Sequence, residues 1–169
     1  IDTPFVFMTY ANVVFHYGIE EFCSRAAEAG VDGLILPDVP FEEKEEFAGS
    51  CRDHGMDLVS MIAPTSEERI DMIAREAEGF VYCVSSLGVT GTRSSITTDL
   101  DSIVARIRAV TDTPIAIGFG ISNPEQAAAM AAKSDGAIVG SAIVKIIAAE
   151  SENAVPVVGE FARKMVEAV

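Results

Sequence analysis

The sequence of 169 residues is short of basic side chains and of histidine, and it has no tryptophan. Lysine and arginine total 12 against 26 acidic residues, which gives a net charge of −14. A nucleic-acid partner is not expected, because phosphate backbones select clustered lysine and arginine. An anionic small substrate must therefore be held by local N–H groups rather than by the overall field.

Cysteine is also scarce, with Cys23, Cys51 and Cys83 far apart and no CxxC pair. Neither a disulfide framework nor a zinc site is indicated, and His16 and His54 are too isolated to predict another metal site. The cysteines are expected to be reduced core thiols of a cytoplasmic protein.

Long apolar runs are missing as well. The longest, 137–149, is interrupted by Gly140, Ser141 and Lys145 and is too short to cross a bilayer. No membrane association is expected. The 49% hydrophobic content is enough to bury one core, so residues 1–169 are predicted to form a single domain.

The chain opens without a methionine, as Ile1-Asp2-Thr3-Pro4-Phe5. The same pattern returns as Asp112-Thr113-Pro114-Ile115, where it follows a predicted helix. By this internal analogy, a helix is expected to precede Ile1.

What the sequence does contain is a βα unit repeated six times. Short apolar runs predict strands at 5–10, 33–36, 58–62, 80–84, 115–117 and 137–139. Helices are predicted at 19–29, 42–53, 65–77, 99–110, from 124, at 140–145 and at 155–168. A turn is predicted at Ala11-Asn12.

No hairpin signal separates the strands, so the sheet is predicted to be parallel. A doubly wound dinucleotide fold would place GxGxxG after the first strand, where this chain has Ala11-Asn12-Val13-Val14. We therefore predict the α/β class and a parallel (β/α)8 TIM barrel, here lacking the first two βα units.

Two glycine turns, Gly118-Phe119-Gly120 and Gly140-Ser141, end consecutive strands ahead of helices. Glycine lets the backbone approach a ligand, and a helix N-terminus supplies free N–H groups and a positive dipole end. Together they predict a phosphate site, which in such barrels lies after the last two strands. Alternatively, both are ordinary tight turns with glycines placed for packing.

Other candidate residues also follow strands. The loop 86–96 is longer than an ordinary βα connection, which predicts a lid over the site. In such a lid, Thr90 would orient a catalytic group and Gly91 would offer an N–H to phosphate. The alternative is a surface loop without a role. Asp38 is a candidate acid or base, or a turn aspartate bonded to nearby backbone. Tyr82 and Phe119 can line an aromatic pocket or belong to the core.

Five segments together resemble the tryptophan synthase α subunit family over the whole chain. They are Met8-Thr9-Tyr10-Ala11-Asn12, Asp38-Val39-Pro40-Phe41-Glu42-Glu43, Gly88-Val89-Thr90-Gly91, Gly118-Phe119-Gly120-Ile121-Ser122 and Gly140-Ser141-Ala142-Ile143-Val144-Lys145. The resemblance implies retro-aldol cleavage of indole-3-glycerol phosphate to indole and glyceraldehyde 3-phosphate, without a cofactor in this chain. It also implies a pyridoxal-phosphate β subunit as partner, in an αββα assembly.

Carried over residue by residue, the resemblance implies a phosphate site and an indole pocket. The phosphate contacts are Gly91, Gly120, Gly140 and Ser141. The indole pocket is Tyr10, Ile35, Met61, Tyr82, Phe119 and Ile138. Thr90 belongs to the closing loop, and Asp38 and Pro40 lie towards the β subunit.

One part of the family pattern has no counterpart here. The family's proton-transferring Glu and Asp belong to a glutamate strand and a Pro-Phe-Ser-Asp-Pro loop of the second unit, and neither stretch occurs in this sequence. The chain resembles units three to eight and is expected to be inactive alone. Two alternatives remain: another phosphate-sugar barrel, of the indole-glycerol-phosphate synthase or sugar-phosphate epimerase type, and a non-catalytic module that docks a β subunit.

Overall fold

The computed structural model describes residues 2–64, 69–85, 100–118 and 120–169. The strands are β1 (Val6–Met8), β2 (Gly33–Ile35), β3 (Asp57–Leu58), β4 (Ser60–Ile62), β5 (Val81–Val84), β6 (Ile115–Gly118) and β7 (Gly136–Ala137). The helices are α1 (Ala11–Tyr17), α2 (Ile19–Glu28), α3 (Glu45–Asp53), α4 (Ile70–Arg75), α5 (Leu100–Arg108), α6 (Pro124–Ala131), α7 (Ser141–Glu150) and α8 (Ala154–Ala168). Short 3₁₀ turns cover Phe41–Glu43 and Ser151–Asn153.

Every strand pairing among the described residues is parallel, and neighbours follow the order of the chain, β1-β2-β3 and β4-β5-β6-β7. The predicted strand 58–62 is divided at Val59 into β3, which pairs with β2, and β4, which pairs with β5. The Val59 N–H still donates to the Leu34 carbonyl at 2.9 Å, so one curved strand links the two sheets. Within the described residues the strand order never reverses, and the barrel prediction is confirmed against the doubly wound one.

Side chains alternate along each strand between two cores. One set faces the helices and packs with them, for example Leu34 against residues of α1 to α3, and Ile62 and Ile117 against residues of α4, α5, α6 and α8. The other set points away from the helices into a separate cluster that contains only residues of the strands and their ends. Its members are Ile35, Val59, Tyr82 and Val84, with Val6, Met61, Ala63, Phe80 and Ile138 packed against them; we call it the interior cluster.

Some predicted boundaries were wrong. The turn expected at Ala11-Asn12 is the start of helix α1, because the Asp38 carboxylate, 27 residues further along, accepts the Ala11 N–H at 3.0 and 3.2 Å and caps that helix. The short helix expected at 140–145 runs on to Glu150. The last strand starts at Gly136 rather than Ala137, although the Ile138 N–H continues the pairing to the Ile117 carbonyl at 2.8 Å.

The repeated Asp-Thr-Pro pattern has a structural counterpart. The N–H of the apolar residue that follows each proline, Phe5 or Ile115, donates to an aspartate carboxylate at 2.7 Å. The acceptors, Asp32 and Asp135, each stand directly before the first glycine of the neighbouring strand, β2 or β7. This bond to Ile115, followed by the Arg108 guanidinium, lowers the pKa of Asp135. These aspartates fix the register where parallel strands begin.

Inside the interior cluster, Tyr82 lies over Gly118. A Cβ placed on Gly118 would lie 2.6 Å from Tyr82 Cζ and 2.8 Å from its Cε1, closer than packed carbon atoms approach. The absence of a side chain at Gly118 therefore makes room for the phenol, which is the packing explanation for this glycine. Gly120, in contrast, has a φ of +85° and serves the turn itself.

The cysteines behave as core residues. All three are free and buried, with Cys23 and Cys51 Sγ atoms 3.8 Å apart between α2 and α3. Burial raises the pKa of Cys51 to about 12, which keeps that thiol protonated.

We predict that Asp135→Asn destabilises the protein on the order of 1 kcal/mol at pH 7, because the Ile115 N–H loses a charged acceptor. The folded-state pKa of Asp135 is below its unfolded value, so this contribution is present above the unfolded pKa and is lost as the pH falls through the folded pKa. Urea unfolding at pH 7 and in acid measures this contribution. The difference in the free energy of unfolding between wild type and Asp135→Asn becomes smaller in acid. The exposed Asp112→Asn is the control, and an equal loss from both would contradict the account.

We also predict that Gly118→Ala costs about 1–3 kcal/mol through overpacking against the Tyr82 ring. The cost of Gly118→Ala becomes smaller in a Tyr82→Ala background, because the ring that it displaces is gone. A double-mutant cycle by urea unfolding measures this coupling. Additive effects would show that the two residues do not compete for the same space.

Candidate functional site

The candidate residues lie at one edge of the sheet. Because the strands are parallel and in register, their carboxyl ends meet there, followed by Pro37, Ala63, Ser85, Gly120 and Gly140. Functional loops of parallel barrels lie at this edge.

The structure brings four of the six predicted indole-pocket residues into one place. Ile35, Met61, Tyr82 and Ile138 belong to the interior cluster, and Ile35 and Tyr82 are buried. Burial raises the pKa of Tyr82 to about 12, so its hydroxyl keeps its proton and remains a donor at neutral pH. Tyr10 is 63% exposed at the residue before α1 and is outside this cluster, and Phe119 lies outside the described residues.

Helix α7 starts directly from the last glycine turn. Gly140 stands at its N-cap, without a side-chain capping bond, and its carbonyl accepts the Val144 N–H at 3.2 Å. The amides of Ser141, Ala142 and Ile143 precede that first bond, and such amides are the natural ligands of an anion. A Cβ on Gly140 would meet no atom of the described residues within 4 Å, so the space above this helix start is open.

Helix α6 differs at the same edge, because its own residues satisfy its start. The Asn123 side chain accepts the Gln126 N–H at 2.8 Å, and Gln126 Oε1 accepts the Ser122 N–H at 2.8 Å and its hydroxyl at 3.1 Å. The helix behind Gly120 is thus capped, whereas no side chain among the described residues caps the helix behind Gly140. Gly120 remains a predicted phosphate contact through its turn rather than through its helix.

Asp38 is placed as a turn aspartate. Both of its carboxylate oxygens face the Ala11 N–H, so the carboxylate ties the loop after β2 to the start of α1. This geometry favours a capping role over proton transfer, although the bonded backbone lies in the preceding unit and not in the same turn. The predicted lid residues Thr90 and Gly91 lie outside the described residues.

Most of helix α1 is exposed, and Val14 is its buried residue. Val13 is 49% exposed and Phe15 63% exposed, and both line a groove whose acidic side is formed by Asp38, Glu43 and Glu46. Pro40, exposed in the loop after β2, lies close in sequence to this groove. Large exposed apolar side chains of this kind suit a protein partner better than a small ligand.

Sequence reasoning missed a cavity of about 340 Å³ where β3 and β4 part, lined by Met61 together with Lys44 and Arg69. No motif marks it, because it results from the break at Val59. In the described ranges, no three His, Cys, Asp or Glu side chains are grouped to hold a metal ion. No described helix has the length and apolar content to cross a membrane.

Comparison with known proteins gives one consistent family. The family model described as "Tryptophan synthase alpha chain" matches residues 1–169. A relative of that name from Lactiplantibacillus plantarum is 50% identical over 163 residues, which are 96% of this chain and 61% of the relative. The chain thus spans about three fifths of the length of that relative.

Solved structures agree. Mycobacterium tuberculosis tryptophan synthase superposes with a TM-score of 0.86 at 35% identity, covering 98% of this chain and 62% of that one. The tryptophan synthase a2b2 complex of Pyrococcus furiosus gives a TM-score of 0.85 at 32% identity, covering 98% and 67%. Since the family model matches residues 1–169 of this chain and the solved structures superpose on 98% of it, this chain belongs to the tryptophan synthase alpha chain family.

Proposed function

We propose that this chain carries the phosphate and indole sites for retro-aldol cleavage of indole-3-glycerol phosphate to indole and glyceraldehyde 3-phosphate. The observation that carries the proposal is the open N-terminus of α7, at the same strand edge as the apolar interior cluster. An indolyl glycerol phosphate needs both an anion cradle and an apolar pocket. The family assignment does not favour the indole-glycerol-phosphate synthase or epimerase alternatives.

The described residues bind and orient in this proposal. The amides of Ser141 and Ala142, with the α7 dipole, hold the phosphate, and Gly120 and Gly91 complete the cradle. The indole ring lies against Ile35, Met61, Tyr82 and Ile138, which exclude water. With the phosphate fixed at one end, the scissile bond is held near the strand ends, which lowers the entropic part of the barrier.

The groups that transfer protons are proposed to lie in a part of the family that residues 1–169 do not match. Retro-aldol release requires an acid to protonate the ring carbon and a base to take the ring N–H proton. Residues 1–169 contain no match to the family's two carboxylate motifs, and Asp38 is engaged at Ala11. This reaction requires no cofactor in the chain; pyridoxal phosphate belongs to the β subunit, and the site of action is the cytoplasm.

The proposed partner is a tryptophan synthase β subunit, in an αββα assembly. Its docking surface is the groove beside α1, with exposed Val13 and Phe15, and Pro40 in the adjacent loop. The Pyrococcus furiosus relative is known from an a2b2 complex. Since Asp38 caps α1, it holds the docking helix in place.

Gly140→Val is predicted to weaken glycerol phosphate binding more than tenfold, because a branched side chain enters the space above the α7 amides. Folding is preserved, since a Cβ there meets no described atom within 4 Å. Lys145→Ala, a turn further into the helix, costs little. Calorimetric titration measures both, and equal losses would argue against a backbone cradle.

The purified chain alone is predicted not to release indole at an enzymatic rate, because a missing acid and a missing base each forfeit roughly 10²–10⁴-fold. Adding the upstream two-unit segment of the Lactiplantibacillus plantarum relative restores release. Full activity from the chain alone would place the catalytic groups within residues 1–169, with Asp38 the first to mutate. Co-elution with a β subunit but no release, even with that segment, would favour a docking module.

A further inference from the structure

The turn after β6 is held by a side chain of helix α6. Gln126 Oε1 accepts two hydrogen bonds from one residue, the Ser122 N–H at 2.8 Å and the Ser122 hydroxyl at 3.1 Å. Ser122 lies two residues after Gly120, whose φ of +85° forms the turn. The Gln126 side chain therefore anchors the backbone directly behind the proposed phosphate contact at Gly120.

These bonds differ from the ordinary cap of a helix. In a capping box, the side chain of the third helical residue accepts the N–H of the N-cap residue itself. Here the N-cap is Asn123 and the third helical residue is Gln126, but the Gln126 side chain bonds Ser122, one residue further back. The start of α6 is satisfied separately, because the Asn123 side chain accepts the Gln126 backbone N–H at 2.8 Å. One side chain thus caps the helix, and the other fixes the turn.

The residue between Gly120 and Ser122 is also held in place. Ile121 is 3% exposed and packs in the core that faces the helices. With Ile121 held by the core and Ser122 by Gln126, the backbone that follows Gly120 is fixed before any ligand arrives. A preorganised group binds more tightly than one that must be ordered on binding.

We propose that Gln126 is a positioning residue for phosphate binding, whose side chain holds the Gly120 turn in the shape that presents the Gly120 N–H to the phosphate. This inference rests on the proposed function and adds to it a residue that acts through Ser122 rather than by touching the substrate. The amides at the start of α7 belong to the next unit and do not depend on Gln126.

Gln126→Met tests the inference, because it keeps the length and the helix propensity of the side chain and removes the acceptor of Ser122. The backbone N–H of residue 126 still bonds Asn123, so the cap of α6 remains. The ¹⁵N-labelled wild type and variant are titrated with glycerol phosphate while amide spectra are recorded. We expect the affinity to fall about fivefold, close to the loss of one hydrogen bond. The shift of the Gly120 amide at saturation is expected to shrink, whereas that of the Ser141 amide persists.

Asn123→Ala is the matched control, since it removes the cap of α6 and leaves the bonds between Gln126 and Ser122. It is expected to lower the thermal unfolding midpoint while the affinity and the Gly120 shift stay at wild-type values. If Gln126 only stabilised the fold, both variants would weaken binding alike, and that result would overturn the inference.

Gln126→Glu restores an oxygen acceptor for Ser122 and is expected to retain the Gly120 shift at saturation, a readout that does not depend on affinity. Loss of that shift in Gln126→Glu would overturn the inference whether or not Gln126→Met folds. An unchanged affinity and Gly120 shift in Gln126→Met would also overturn it and leave the phosphate site intact.

The wild-type titration separates this failure from failure of the proposed function. A wild-type chain in which neither Gly120 nor Ser141 shows a saturable shift would reject the phosphate site, and the inference with it. A saturable shift at Ser141 without one at Gly120 would reject the role of Gln126 and keep the cradle at α7.

Discussion

The alternation of side chains along buried parallel strands is the constraint on which the rest of this structure depends. Leu34 faces the helices and Ile35 faces away from them; Ile62 and Met61 divide in the same way. A slip of one residue in any strand would exchange the two cores. Register is therefore fixed from the first residues of the strands, where Asp32 and Asp135 accept the backbone N–H of the neighbouring strand.

Fixed register also decides what lies at the opposite edge. Two helices start there after glycine turns, and they differ in the residue at the N-cap. The Asn123 side chain accepts the Gln126 N–H at the start of α6, whereas the N-cap of α7, Gly140, has no side chain. A helix start left open beside an apolar interior is suited to a ligand with a phosphate at one end and a ring at the other. Side-chain capping thus distinguishes α6 from α7, the helix that is proposed to bind phosphate.

Most strand positions and several helix starts could be predicted from local sequence. Apolar runs predicted the six strand positions, and Asn123-Pro124 predicted the start of α6, because both signals act over a few residues. The start of α1 was missed, since its cap, Asp38, comes from the next unit. The division at Val59, and the cleft beside it, arise from curvature between two sheets. The packing of Tyr82 over Gly118 likewise joins two strands, so the glycine alone could not distinguish packing from ligand approach.

In the proposed site, the backbone at the start of α7 holds the phosphate. Titrating the ¹⁵N-labelled chain with glycerol phosphate, while recording amide spectra, tests it most directly. We expect saturable downfield shifts of the Ser141, Ala142 and Ile143 amide protons, with the amide of Gln126 at the capped start of α6 unchanged. Shifts of Gln126 as large as those of Ser141, or no saturable change at α7, would contradict it.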